Sequence, residues 1–280
     1  MFQIKLGSKT FFVPENWQES TPQQIRTFLL VRRVPLQKRV RAVFEGLIQA
    51  YLGMTDAEWQ LLVLGFDQWK NLKNLSSWVF EQPFDGKPFD YFDFEGVRYY
   101  LPEPHFADTT ALELSIANML YLEFAHPENP DLTALDRLIA TFCRPARADL
   151  EAFGLSSEWN GDIRTPYNQP RANTVAKHFA TLDTATKVAF LSYFEAMNRD
   201  FLNEYSGLFG DSKEEPRYQD GTGWLIILKN VAKSGIWGNF EVVCHQPART
   251  VWAFMLDDVL DDRQQQAELE KQYDNAKIHR

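Results

Sequence analysis

The chain has 280 residues, 45% apolar and 24% charged, a globular composition that excludes a disordered or fibrous chain. Twenty-nine basic and thirty-eight acidic side chains give a formal charge of −9, a balance that works against non-specific binding to nucleic acid or anionic lipid. Two cysteines, Cys143 and Cys244, make neither a disulfide framework nor a zinc set, and no apolar run approaches the ~18 residues that cross a bilayer.

Residues 2–13 alternate polar and apolar on either side of Gly7-Ser8 and predict a β-hairpin, which Pro14 ends because it cannot donate to a ladder. Ser20 or Thr21 then caps a helix with Pro22 in its first turn and Ile25, Phe28 and Leu29 on one face. A second helix is expected after Pro35, with Val40, Val43, Phe44, Leu47 and Ile48 at helical spacing and Gly53 closing it. Thr55-Asp56-Ala57-Glu58 opens a third helical stretch, and another runs through Trp78.

The same order of elements recurs. Residues 90–101 read as a second hairpin around Glu95-Gly96, and a shift of 88 residues places Pro14, Glu15 and Thr21 on Pro102, Glu103 and Thr109. Helices are expected from Thr109 to His126 and from Leu132 to Phe142, the latter halted by Pro145. The chain thus divides into a hairpin plus helices over 1–83, a second such set over 84–155, and a C-terminal helical region over 156–280. The fold class is mainly α (α+β): a helical body with two small hairpins and an internally duplicated hairpin–helix–helix unit.

Asn160, Gly161, Pro166, Asn168 and Pro170 mark residues 156–174 as loop, and the mixture around Trp159, Arg164 and Tyr167 suits either a binding surface or a loop pinned to the body. Asp183 caps a helix to about Tyr205, a polar stretch spans Gly210 to Gly223, and helices are expected at Trp224–Lys233 and from Pro247 to Tyr273. The last begins apolar (Val251, Trp252, Met255, Leu260) and turns polar after Asp261, the pattern of a helix that projects into solvent or meets a partner.

Candidate chemistry is sparse. Asp257-Asp258-Val259-Leu260-Asp261-Asp262 resembles the DDxxD magnesium-diphosphate motif of terpenoid and prenyl-transfer synthases, but no second metal-binding segment accompanies it, and a solvated acidic face explains it better. The five histidines are scattered without metal-ligand spacing, and no phosphate loop, dinucleotide fingerprint or nucleophile elbow occurs. Arg32, Arg33, Lys38, Arg39 and Arg41 form the one concentrated basic patch, expected to meet an acidic protein or to pair internally rather than to bind nucleic acid. No cofactor and no metal are implied.

Val13-Pro14-Glu15-Asn16-Trp17, following a strand and leading into a Thr-capped helix, resembles the start of certain tailed-phage tail assembly proteins, or tail assembly chaperones. Leu135-Asp136-Arg137-Leu138-Ile139-Ala140-Thr141-Phe142-Cys143-Arg144-Pro145 is similar to a recurrent helix end in the same proteins. The resemblance implies a non-enzymatic protein of virion assembly, with other phage proteins as partners, no membrane, and a location in the host cytoplasm or the virion. It carries no catalytic residues. The surfaces expected to meet a partner are the basic patch, the loop residues Trp159, Arg164 and Tyr167, and Trp252, Met255 and Leu260 of the last helix. The alternatives are a magnesium-dependent helical enzyme using Asp257, Asp258, Asp261 and Asp262, and a nucleic-acid module using the basic patch.

Overall fold

The protein is described from a computed structural model covering residues 1–208, 218 and 221–278, with side chains to residue 272. Most of the expected Gly210–Gly223 polar stretch therefore lies outside the described residues. The fold is mainly α with two separate two-stranded antiparallel sheets. Strands β1 (Phe2–Leu6) and β2 (Lys9–Val13) pair from Phe2–Val13 to Leu6–Lys9, burying Leu6 and Val13. Helices α1 (Pro22–Arg33), α2 (Arg41–Tyr51), α3 (Asp56–Gln60), α4 (Phe66–Leu75) and α5 (Trp78–Glu81) follow. Next come β3 (Tyr91–Phe94), β4 (Val97–Tyr100), α6 (Ala111–Phe124), α7 (Leu132–Phe142) and α8 (Leu150–Gly154). The remainder is α9 (Gln169–Phe179), α10 (Thr184–Glu204), α11 (Gly223–Lys233), α12 (Phe240–His245) and α13 (Ala248–Ile278). Among the described residues no helix is long and apolar enough to cross a membrane.

The chain forms two compact units, one of Met1–Val97 with His178–Ala196, the other of Arg98–Lys177 with Met197–Arg280. Residues 156–280, expected as one region, are thus shared between both. The reason is aromatic: Phe179 lies against Phe92 and Phe94 in the first unit, at 5.8 and 5.6 Å between ring centroids. In the second unit Phe201 packs on Phe106 and Trp252. The loop expected over 156–174 is also shorter, because α9 begins at Gln169 with Pro170 in its first turn, where a missing N–H costs nothing.

The two hairpin–helix–helix modules correspond more closely than their sequences do. Gly7 falls on Glu95 and Ser8 on Gly96 at the shift of 88, and Glu95 and Gly96 both have positive φ (50° and 77°), as a tight I′-type turn requires. Past the second proline the shift becomes 89. Trp17 then matches Phe106, both buried, and the α1 cap Thr21 matches Thr110 rather than the expected Thr109. Each cap closes a reciprocal box, Thr21 with Gln24 and Thr110 with Glu113. The extra residue sits where His105 and Phe106 adopt positive φ, 58° and 56°. Further on, Leu47, Ile48 and Tyr51 of α2 occupy the places of Leu138, Ile139 and Phe142 of α7, all buried. Thr110→Ala should lower the urea midpoint of unfolding by an amount equivalent to about 1 kcal/mol, with an unchanged slope, whereas Thr109→Ala tests only its own packing.

Candidate functional site

The second helix of each module ends in carbonyls that have no partner within the helix. In the first module one neutral side chain serves: Gln24, the capping-box residue of α1, donates Nε2 to Ala50 O and Tyr51 O at 3.1 and 3.4 Å. In the second, two guanidiniums take over. Arg144 Nη1 donates to Thr141 O, and Arg164 Nη1 donates to Phe142 O at 2.8 Å. Cations suit a helix C-terminus, but both guanidiniums are buried and need counter-charges. Glu113, at the place of Gln24, lies 2.7 Å from Arg144. Asp162 reaches both arginines, 3.0 Å to Arg144 and 2.7 Å to Arg164, and Asp108 lies 3.2 Å from Arg164.

Two guanidiniums and three carboxylates are thus enclosed together. Burial pushes the Asp108 carboxyl above its ordinary range, only partly offset by the Arg164 charge beside it. Burial alone would lower Arg164, yet Asp108, Asp162 and Glu113 outweigh it and hold the guanidinium more firmly protonated than usual. Backbone stitching completes the arrangement: Arg147 N donates to Ile163 O and Thr165 N to Pro145 O, at 2.9 and 2.8 Å. The 156–168 loop is therefore pinned by Asp162 and Arg164. Trp159 remains half in solvent against Phe153, and burial raises the half-buried Tyr167 hydroxyl. Arg164, expected at a partner surface, is wholly enclosed, so that expectation is corrected; the need to neutralise α7's end draws it inward.

Trp252 is corrected for a similar reason. It is fully buried between Phe201 and Trp224, 5.7 and 5.8 Å away, as part of its own unit's core. Met255 is half-buried and Leu260 exposed. Asp257, Asp258, Asp261 and Asp262 are all exposed on α13 and line no apolar hollow, so the enclosed magnesium site required by the enzyme alternative is not built from them. Among the described residues no three His, Cys, Asp or Glu side chains converge to hold a metal ion.

The basic patch is largely engaged by its own unit. Arg32 Nη1 donates to Gln82 O at 2.5 Å, and Arg39 Nε donates to Val34 O at 2.9 Å, beyond the end of α1. Arg33 pairs with Glu195, Arg41 with Glu45 at 2.8 Å, and Lys38 is exposed. Three bases also lie over rings: Arg39 over Phe80 at 4.1 Å, Lys73 over Phe44 at 4.1 Å, and Arg41 over Trp69 at 5.6 Å.

Beside this layer lies a feature missed from the sequence. Helix α3 stops at Gln60, and Leu61-Leu62-Val63-Leu64 runs on to Gly65, which begins α4. Burial alternates along it. Leu62 and Leu64 face a groove of about 520 Å³ with Trp59, Phe66, Trp69 and the Arg41–Glu45 pair, whereas Leu61 and Val63 stand 85% and 90% exposed. Phe66 is 81% exposed, and Leu36 and Val40, flanking Lys38, are exposed too. An apolar patch of this kind, walled by aromatic rings and edged by the Arg41–Glu45 pair, has the composition of a protein-binding surface. The run Leu61–Leu64 and the two tryptophans were the available signal, but the pattern of an ordinary core segment is the same.

Comparison with protein families, curated proteins and solved structures returns no match to this chain.

Proposed function

We propose that the protein is a non-enzymatic assembly protein that acts by taking a partner's helical segment into the Trp59–Trp69 groove of its first unit. The observation that carries the reading is the exposed apolar run Leu61–Val63–Phe66 beside bases held over rings. A groove of this kind suits an amphipathic helix that presents apolar knobs flanked by carboxylates. The resemblance of residues 13–21 and 135–145 to tail assembly proteins of tailed phages supports the setting, virion assembly in a bacterial host.

The test separates stability from binding. Because Leu61 and Phe66 are exposed, Leu61→Ser and Phe66→Ser should change unfolding free energy by no more than about 0.5 kcal/mol. The same variants should lose, by about tenfold or more, the protein that co-purifies with the wild-type chain from its native host. Undiminished co-purification would end the reading.

A further inference from the structure

The two modules differ at one place, which the second fills with its own chain and the first leaves open. In the second module residues 162–165 lie as a short strap along the segment just past α7. Arg147 N donates to Ile163 O at 2.9 Å and Thr165 N to Pro145 O at 2.8 Å, and Ala146 forms an antiparallel bridge with Arg164. From the strap Arg164 reaches Phe142 O at the helix end, while Asp162 and Glu113 flank Arg144. In the first module the same place is an open groove of about 700 Å³, lined by Gln24, Gln49, Ala50 and the Gly53–Asp56 segment. Gln24 holds the position of Glu113, and Gly53–Asp56 follow α2 as Arg144–Arg147 follow α7.

Gly46, on the α2 wall of this groove, is a second and independent sign. It lies inside a helix, where glycine is the least favourable residue after proline. A Cβ built there meets nothing within 4 Å, so packing within the chain does not demand a glycine. Its missing side chain keeps the groove clear. Asp56 is the one charged side chain among the described residues that line the groove; it is exposed and held by Gln49 Nε2 at 2.7 Å. We infer that this groove binds an extended segment of a partner protein, laid along Gly53–Asp56 as the strap lies along Arg144–Arg147. The segment is uncharged where the strap carries Asp162 and Arg164. Its extended form follows from the filled counterpart. Its neutrality follows from the bed: Gln24 replaces Glu113 and Gly53 has no side chain where Arg144 supplies a guanidinium, so an ion enclosed beside Gln24 would find no counter-charge. In this mode main-chain hydrogen bonds supply affinity and alternate side chains supply selectivity. The groove uses a different face of α2 from Arg41 and Glu45, so the inference goes beyond the Trp59–Trp69 reading and stands without it.

The probe is a neutral copy of the strap, a dye-labelled peptide of residues 160–168 carrying Asp162→Asn and Arg164→Gln. Fluorescence anisotropy with the full-length chain should give a Kd below about 1 mM. The parent peptide, with both charges, should bind about tenfold more weakly or worse. Gly46→Gln places a side chain in the groove and should weaken the neutral peptide by about tenfold or more. Its urea midpoint should hold or rise, because glutamine is the better helix former and the added Cβ meets open space. No binding up to about 1 mM, equal affinity for the two peptides, or an affinity that Gly46→Gln leaves unchanged would each overturn the inference. A concentration-dependent dimer of the chain that Gly46→Gln abolishes would assign the groove to a second copy and overturn it too. The Trp59–Trp69 reading is judged separately, by co-purification with Leu61→Ser and Phe66→Ser.

Discussion

Arg164→Met is expected to destabilise the second unit by about 3–5 kcal/mol, read as a fall in the urea midpoint at pH 7. The change removes a guanidinium that lies 2.7 Å from Asp162 and 3.2 Å from Asp108 and that also donates to Phe142 O and Asp108 O. It leaves two carboxylates enclosed with less counter-charge, and that residue, rather than the lost attraction, sets the size of the effect. Arg164→Lys should recover only part, because one ammonium cannot reach a carboxylate on each side and two carbonyls with a planar fork's geometry. A loss below about 1 kcal/mol for Arg164→Met would mean that water reaches the cluster. The same cluster sets a pH dependence. Burial raises the Asp108 carboxyl above its ordinary 3.8, so the folded chain keeps a proton that the unfolded chain has released. The stability from that proton is complete below pH 3.8 and is lost as pH rises through the raised value. Asp108→Asn should therefore flatten the fall in unfolding free energy that begins above pH 3.8; an unchanged slope would assign it to other groups.

The second large effect is expected at Trp252. Trp252→Ala should cost about 3–5 kcal/mol, since it empties a fully buried site between Phe201 and Trp224. Trp252→Phe should cost far less, under about 1.5 kcal/mol, because it keeps a ring there. It also deletes an Nε1–H that has no hydrogen-bond partner among the described residues, which offsets part of the lost contact. Equal costs for the two variants would show that the N–H is satisfied after all.

Much of this architecture was legible locally. Both hairpins, α7 from Leu132 to Phe142 and the Asp183 cap of α10 follow from turn chemistry, period and capping, which act over a few residues. The cap of α6 was legible as well, one residue along: Thr110-Ala-Leu-Glu113 spells a capping box that Thr109 does not. What the sequence did not reveal depends on distance. Asp108, Glu113, Arg144, Asp162 and Arg164 are isolated charges with no common period, and only the fold gathers them. Trp252 reads the same whether its face meets its own core or a partner, because helical spacing does not say which surface lies opposite. Leu61–Leu64 presented the reverse case: its apolarity implied burial, whereas half of it lies in water. For the basic patch the sequence left a protein contact and internal pairing both open, because the carbonyls of Gln82 and Val34 that absorb Arg32 and Arg39 carry no side-chain signature.

The contrast between Gln24 and Glu113 bears on synthesis. The first module's amide finds both of its acceptors within 27 residues, so that link can close while the nascent chain is still short. The second module's carboxylates must wait for Arg144 and then for Arg164, 56 residues after Asp108. Until the ribosome has delivered that arginine, Asp108 has every reason to stay hydrated, and α6 cannot settle against α7's end. Translation order thus makes the 156–168 segment the last stitch of its module, and a pause before it would leave the half-built module open to chaperones and proteases.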